Sequence, residues 1–290
     1  MFGDQILNGL AFGSIYILVA APLLLQFGIL RIVNLAFGEV FALATFGAIV
    51  SMGFCGSYVA VGVLGAALSA LAAGWAIQRF VEAPLGNVSD PKSAAHLNCL
   101  VATMGCTIVM QNGLIAIFGA NPLPFPTGSS PGGLLGGGQL MFLVGSALSV
   151  VALLHVLLNY TSLGVELRAV AEDRGLAAAS GINVRRVQWV AIGISYFSCG
   201  IVAFVVARYL SFTSAYAGVG YGLKALIILV VAGNKGFTRL CAVAFALGIV
   251  EALAVGYGSS QYRDAFGYGV LFLLIQGRTL MGLRRGFARI

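Results

Sequence analysis

Val40–Gln78 reads VFALATFGAIVSMGFCGSYVAVGVLGAALSALAAGWAIQ and contains no Asp, Glu, Lys or Arg. A helix needs about 20 apolar residues to cross the hydrocarbon of a bilayer, so this run holds more than one crossing. Ser93–Val165 is a second charge-free block, and it too is long enough for several. The apolar runs are continuous, whereas barrel strands would alternate apolar and polar residues over about 10 positions. The expected fold is therefore all-α, a polytopic transmembrane helical bundle of about eight or nine spans.

Composition agrees with this reading. The 290 residues are 60% hydrophobic and 9% charged, with a mean hydropathy of +1.00, against roughly 25% charged in soluble domains. The net charge of +7 is spread over short loops and the C-terminal tail. This is the pattern of a positive-inside bias, and no nucleic-acid partner is expected. Cys55, Cys99, Cys106, Cys199 and Cys241 occur singly in apolar segments, as small core residues do. His96 and His155 are isolated, so no metal site is expected. Met1–Asn8 carries Asp4 without a basic cluster, unlike a cleavable signal, and the first apolar stretch is expected to remain as a span.

Candidate spans are Ile6–Phe27, Val33–Met52, Tyr58–Gln78, Leu97–Phe118, Gln139–Leu158, Val187–Ala207, Leu223–Ala232, Leu240–Tyr257 and Ala265–Gln276. Pro22 interrupts the first and the seventh is short, so either could be broken or re-entrant. Lys and Arg near span ends favour the cytoplasm. Arg168, Arg174, Arg185 and Arg186 place residues 159–186 inside, and Arg278, Arg284, Arg285 and Arg289 place the C-terminus there. Alternation then puts Arg79, Lys92, Lys235 and Arg239 inside and the Gly/Pro-rich Gly119–Gly138 outside as a mobile loop. The N-terminus comes out external, with Arg208 and Arg263 as exceptions on the outer side. In the third span, Gly62, Ala66, Ala70 and Gly74 form a small-residue stripe suited to close helix packing.

Between the apolar blocks, GVELRAVAEDRGLAAASGINVRR, from Gly164 to Arg186, is polar and Ala-rich. Read as helix over Gly164–Ser180, it offers Glu166, Arg168, Glu172, Asp173 and Arg174 as solvated charge and Ala177 and Ala178 as a flat surface. Gly181 suits a helix C-terminus. Such a segment either docks in a groove of a soluble partner or serves as a solvated connector.

Polar groups within apolar runs are the other candidates for function. A charge there costs at least about 2.5 kcal/mol unless paired or hydrated. Glu39 follows Asn34 near a cytoplasmic helix end, where capping, snorkelling and substrate contact are all open. Glu251 is placed either to pair with Lys224 or to meet a ligand. Gln111 and Asn112 offer hydrogen bonds midway along an apolar helix, for interhelical bonding or for a passing solute. No Ser or Cys has the partners of a hydrolytic triad, so an enzyme is not expected.

Several motifs point to one family. The island resembles the cytoplasmic coupling loop of ABC importer permeases, which centres on alanines followed by a glycine and an aliphatic residue, here Ala177, Ala178, Gly181 and Ile182. Asn8–Tyr16, Asn34-Leu35-Ala36-Phe37-Gly38-Glu39, Ala102-Thr103-Met104-Gly105 and Leu167–Asp173 followed by Ala177–Val184 resemble, in order and spacing, the branched-chain amino-acid permeases of bacterial ABC importers. The likeness runs from about Ile6 to Gly282. Two departures are Phe37, where a histidine is common in the family, and Ala232–Phe237, which replaces a stretch usually richer in glycine and serine.

The resemblance implies a single transmembrane permease domain over residues 1–290 in the bacterial inner membrane, with 159–186 as its coupling loop. Glu172, Asp173, Ala177, Ala178, Gly181 and Ile182 would meet the ATPase. Asn34, Glu39, Gln111, Asn112, Lys224 and Glu251 are candidates for the translocation pathway. Partners would be two cytoplasmic ATPase subunits, a second homologous permease and a periplasmic solute-binding protein. No G-x-x-x-x-G-K-[ST] occurs, so ATP would bind the partner subunits and no cofactor is expected on this chain. Urea or short amides are alternative solutes. An ion-coupled secondary carrier using Glu39, Lys224 and Glu251 is the alternative mechanism.

Overall fold

The computed structural model describes residues 2–30, 33–55, 58–82, 94–126, 137–233, 236–257 and 265–269, with positions 272 and 276. The helices are α1 (Phe2–Leu30), α2 (Phe37–Cys55), α3 (Val59–Ile77) with a π-helical turn at Gln78–Glu82, α4 (Ala94–Phe118), α5 (Gly137–Tyr160), α6 (Ser162–Glu172), α7 (Arg174–Ala179), α8 (Val184–Leu210), α9 (Ala217–Ala232) and α10 (Phe237–Tyr257). Seven of them, α1 to α5, α8 and α10, are long and apolar enough to cross a membrane. These match the expected spans closely. Of the ninth, Ala265–Gln276, residues 265–269 are helical and most of the remainder lies outside the described residues, as do Lys92, Lys235, Arg263 and the C-terminal arginines.

Burial sorts the helices into layers. In α1, 83% of the most apolar stretch is buried within the protein and in α8 72%, against 11% in α4 and 17% in α5. The first pair therefore forms the centre, with α2, α9 and α10 around it, while α4 and α5 turn Val101, Ile108, Val109, Met141 and Leu153 outward. Apolar side chains on the outside are what hydrocarbon surroundings require, since the lipid competes equally for them.

Where burial by hydrophobicity alone cannot hold helices together, close backbone approach does so. The stripe Gly62, Ala66, Ala70 and Gly74 is buried and faces α8. A Cβ on Gly74 would run into the Tyr196 ring, and one on Gly200 of α8 would lie 2.5 Å from the Ala67 Cα. The small-residue pattern is thus a packing seam.

Two expectations are corrected. Pro22 lies inside α1, which runs unbroken through it; α8 packs along this turn, and Ser195 donates to the Pro22 carbonyl at 2.7 Å. The Gly/Pro-rich loop is anchored where it is described. Leu123–Pro124 (β1) pairs antiparallel with Phe212–Thr213 (β2), the Phe125 N–H bonds the Ser211 carbonyl, and the buried Phe125 ring meets Phe204 edge-on. An inserted aromatic fixes a segment whose composition alone suggests freedom.

The seventh expected span is the short α9. Its 16 residues cover about 24 Å at 1.5 Å per residue, less than the roughly 30 Å hydrocarbon core. Its approach is also unusual. Thr213 hydrogen-bonds Thr45, midway along α2, so the connection from α8 dips alongside α2 before α9 begins. Gly38 then meets Gly218 and Gly222 backbone to backbone, and α2 and α9 run antiparallel.

A branched side chain at the α3–α8 seam has nowhere to go. Gly200→Val is expected to destabilise the protein by about 1–3 kcal/mol, read as a lower midpoint of thermal aggregation in detergent. Gly105→Ala, where a Cβ meets nothing within 4 Å, should leave the midpoint unchanged; equal effects of the two would refute the seam.

Candidate functional site

Three helices converge on one buried polar cluster. Lys224 of α9 donates to Glu251 Oε1 of α10 at 2.5 Å and to the Tyr16 hydroxyl of α1 at 3.1 Å. Tyr16 in turn donates to Glu251 Oε2. Lys224 is 4% exposed and Glu251 0%, so the pair is shielded from water and each charge depends on the other. The Tyr16 and Tyr268 rings lie 5.3 and 5.9 Å from the ammonium, adding attraction from their π faces. Of the two roles open to Glu251, pairing with Lys224 is the one the structure displays. Tyr16 completes the cluster and was not singled out in the sequence, because a tyrosine in an apolar run reads as core.

A second cluster lies where α1 passes into α2. Asn34 Nδ2 donates to the Tyr196 hydroxyl at 2.8 Å while its Oδ1 accepts from the Ala36 N–H at 2.9 Å, a local turn that starts α2. Gln26 reaches the same hydroxyl at 3.3 Å. Phe37, the departure noted in the sequence, stacks on Tyr196 at 5.8 Å. Asn34 is therefore held by backbone and Tyr196.

Glu39 is fully buried, and neither carboxylate oxygen has a hydrogen-bond partner among the described residues. Its carboxyl lies against Gly218, where an added Cβ would be 2.8 Å from it. Capping and snorkelling are both ruled out by this placement. Gln111 and Asn112 are not brought to either cluster. Asn112 is exposed and donates to the Ile108 carbonyl of its own helix at 2.8 Å, because the outward face of α4 carries it.

Beside Lys224 the dipping connection borders a half-open cavity of about 290 Å³. Phe41 and Thr45 of α2, Val206 and Leu210 of α8, the 212–214 segment and the first turns of α9 line it.

The polar island folds as an elbow. One continuous helix was expected; instead Asp173 is extended (φ −150°, ψ 114°) and its carboxylate caps α7 by accepting from the Gly175 and Leu176 N–H groups. An aspartate satisfies the free donors of a helix start, so the chain breaks there. At the far end Gly181, at φ +84°, lets its N–H bond the Ala178 carbonyl and that of Ile182 bond the Ala177 carbonyl, a pairing that closes helices on glycine. Glu172, Asp173, Ala178 and Gly181 are exposed and Ile182 is half-buried. Ala177 is buried, which corrects the expectation that it shares a surface with Ala178. Leu176 is 68% exposed and takes that place, at a position the alanine motif hides. Arg174, expected to be solvated, donates to the Leu30 carbonyl at 2.6 Å and fastens the elbow to the end of α1.

Among the described residues no group of three or more His, Cys, Asp or Glu could hold a metal ion.

Removing one partner of the shielded pair strands the other. Lys224→Met is expected to cost about 3–5 kcal/mol, measured as loss of folded protein in detergent. Lys224→Met with Glu251→Gln should recover part of that loss; a double variant no better than the single one would refute the pairing.

Residues 5–275 match the family described as branched-chain amino acid transport system / permease component. The high-affinity branched-chain amino acid transport system permease protein LivH of Salmonella typhimurium is 27% identical over 292 residues, covering 94% of this chain and 92% of that protein, and LivH of Escherichia coli K12 matches equally. BraD of Pseudomonas aeruginosa, a permease protein of the same description, is 25% identical with the same coverage. A protein assigned to the metal-chelate type of ABC transporter, solved in an inward-facing conformation, gives a TM-score of 0.48 at 18% identity, covering 94% of this chain and 85% of that one. With a buried multi-helix core, outward apolar faces and a family match along nearly its whole length, this chain is a multi-pass membrane protein and belongs to the permease components of branched-chain amino acid transport systems.

Proposed function

We propose that this chain is a membrane-spanning subunit of an ATP-binding-cassette importer, moving branched-chain or related small amino acids delivered by a periplasmic binding protein. Membership of the permease family supports the transport role. The observation that carries the rest is the elbow. Its α7 exposes Gly175, Leu176, Ala178 and Ala179 as a small apolar surface while its base is fastened to α1 through Arg174. A short exposed helix tied to a central transmembrane helix is a means of passing a partner's movement into the membrane. ATP hydrolysis belongs to separate subunits in this reading, and a second permease completes the pathway.

Coupling of this sort is a bias on a two-state equilibrium through differential contacts. Closing of the ATPase pair would favour one position of the elbow, and α1 with the helices packed on it would follow. The same reading sets the elbow and the C-terminus in the cytoplasm and the N-terminus outside. Mutual neutralisation of Lys224 and Glu251 favours a structural bridge there over an ion-coupled carrier.

The test is purification from native membranes in mild detergent, with mass spectrometry of what stays bound. ATPase subunits and a second permease should be recovered with the unaltered chain. Leu176→Asp and Ala178→Asp, both at exposed positions, should reduce ATPase recovery by about tenfold, as loss of a central apolar contact does, with unchanged amounts of chain in the membrane. A homo-oligomer without ATPase, or normal recovery by both variants, would overturn the proposal.

A further inference from the structure

The cavity beside α9 has walls of distinct chemistry. Phe41, Val206, Leu210 and Phe212 make one side apolar, while Ser214 and Ala217 border it where α9 begins. That helix start has no side-chain cap. The Ala217 N–H is taken by the Ser214 carbonyl, and the first-turn N–H groups beyond it have no intrahelical acceptor. Together they form a positive pole suited to a carboxylate.

A negative pole stands beside it. Glu39 is 0% exposed, receives no hydrogen bond from any described residue and lies against Gly218, the second residue of α9. A buried carboxylate without donors is under-satisfied. An ammonium group brings three donors. The carboxylate and ammonium of an α-amino acid are attached to one carbon, so a site for both needs its two poles close together, and Glu39 meets the start of α9 at Gly218.

We propose that the start of α9 is a transit site for α-amino acids with short aliphatic side chains. Its first-turn N–H groups take the carboxylate, Glu39 takes the ammonium, and the apolar wall receives the side chain. Lys224, at another edge of the cavity, is paired with Glu251 and adds no net charge there. In this conformation Glu39 sits behind the seam where Gly38 meets Gly218 and Gly222. Engagement of the ammonium therefore requires α2 and α9 to part, a step that belongs to the transport cycle.

This inference rests on the importer reading, and the experiment separates the two. The complete importer is reconstituted in vesicles with saturating leucine-loaded binding protein, and L-leucine uptake and ATP hydrolysis are measured together. ATP-driven uptake by the unaltered complex tests the importer reading; its absence would end that reading, and this one with it. Given that uptake, Glu39→Gln and Gly220→Leu test the site. Gly220 lines the cavity, and a Cβ there meets nothing within 4 Å, so leucine fills the space without displacing backbone. In each variant, leucine delivered per ATP hydrolysed should fall about tenfold, the loss expected on removing one charge-assisted contact or the room for the side chain. Assembly and binding-protein-stimulated hydrolysis should be retained. Delivery per ATP at the unaltered level in either variant would overturn the site; if Glu39→Gln does not assemble, Gly220→Leu decides alone.

Discussion

Close approach of helix backbones is the constraint on which this molecule depends. Lipid tails are as apolar as leucine, so helices gain little by hiding oily side chains from them. What remains is contact density, and that needs small residues. Gly200 against Ala66 and Ala67, Gly38 against Gly218 and Gly222, and Gly248 against Gly9 and Gly13 supply it at three separate crossings. The first brings α3 onto α8, the second joins the short α9 to α2, and the third brings α10 onto α1. The short α9 relies on this most, because it is not long enough to be held by spanning the bilayer.

The buried polar clusters supply what close packing lacks, which is register. Ridges of small residues can slide past one another by a turn with modest loss, whereas Lys224, Glu251 and Tyr16 satisfy one another in a single alignment of α1, α9 and α10. Tyr196 does the same for α8 and the α1–α2 junction through Asn34 and Gln26. A lone polar residue in hydrocarbon is costly, so these groups commit three or four helices to one arrangement.

Much of this was legible in the chain. The charge-free blocks around Val40–Gln78 and Ser93–Val165 located the spans, and Gly62, Ala66, Ala70 and Gly74 located a seam. Gly181 announced the end of the elbow, and Lys224 with Glu251 suggested their own pairing. The remainder depended on contacts between distant segments. Pro22 reads as a break until α8 is seen beside it. Phe125 reads as part of a free loop until Phe204 receives it. Asp173 in an Ala-rich stretch reads as solvated charge, and only the backbone reveals that it caps α7 and exchanges Ala177 for Leu176 on the surface. Gln111 and Asn112 looked inward by composition; the side of α4 they occupy is set by α2 and is invisible to local pattern.

The bond from Arg174 to the last carbonyls of α1 carries a thermodynamic obligation. If a partner bound at the elbow stabilises that bond, the free energy it contributes there is shared by both ends, and linkage is symmetric. Any event in the membrane that loosens the end of α1 must weaken the partner's grip by the same factor with which the partner tightens α1. Affinity at the elbow thus becomes a gauge of the arrangement within the bilayer, readable from outside it.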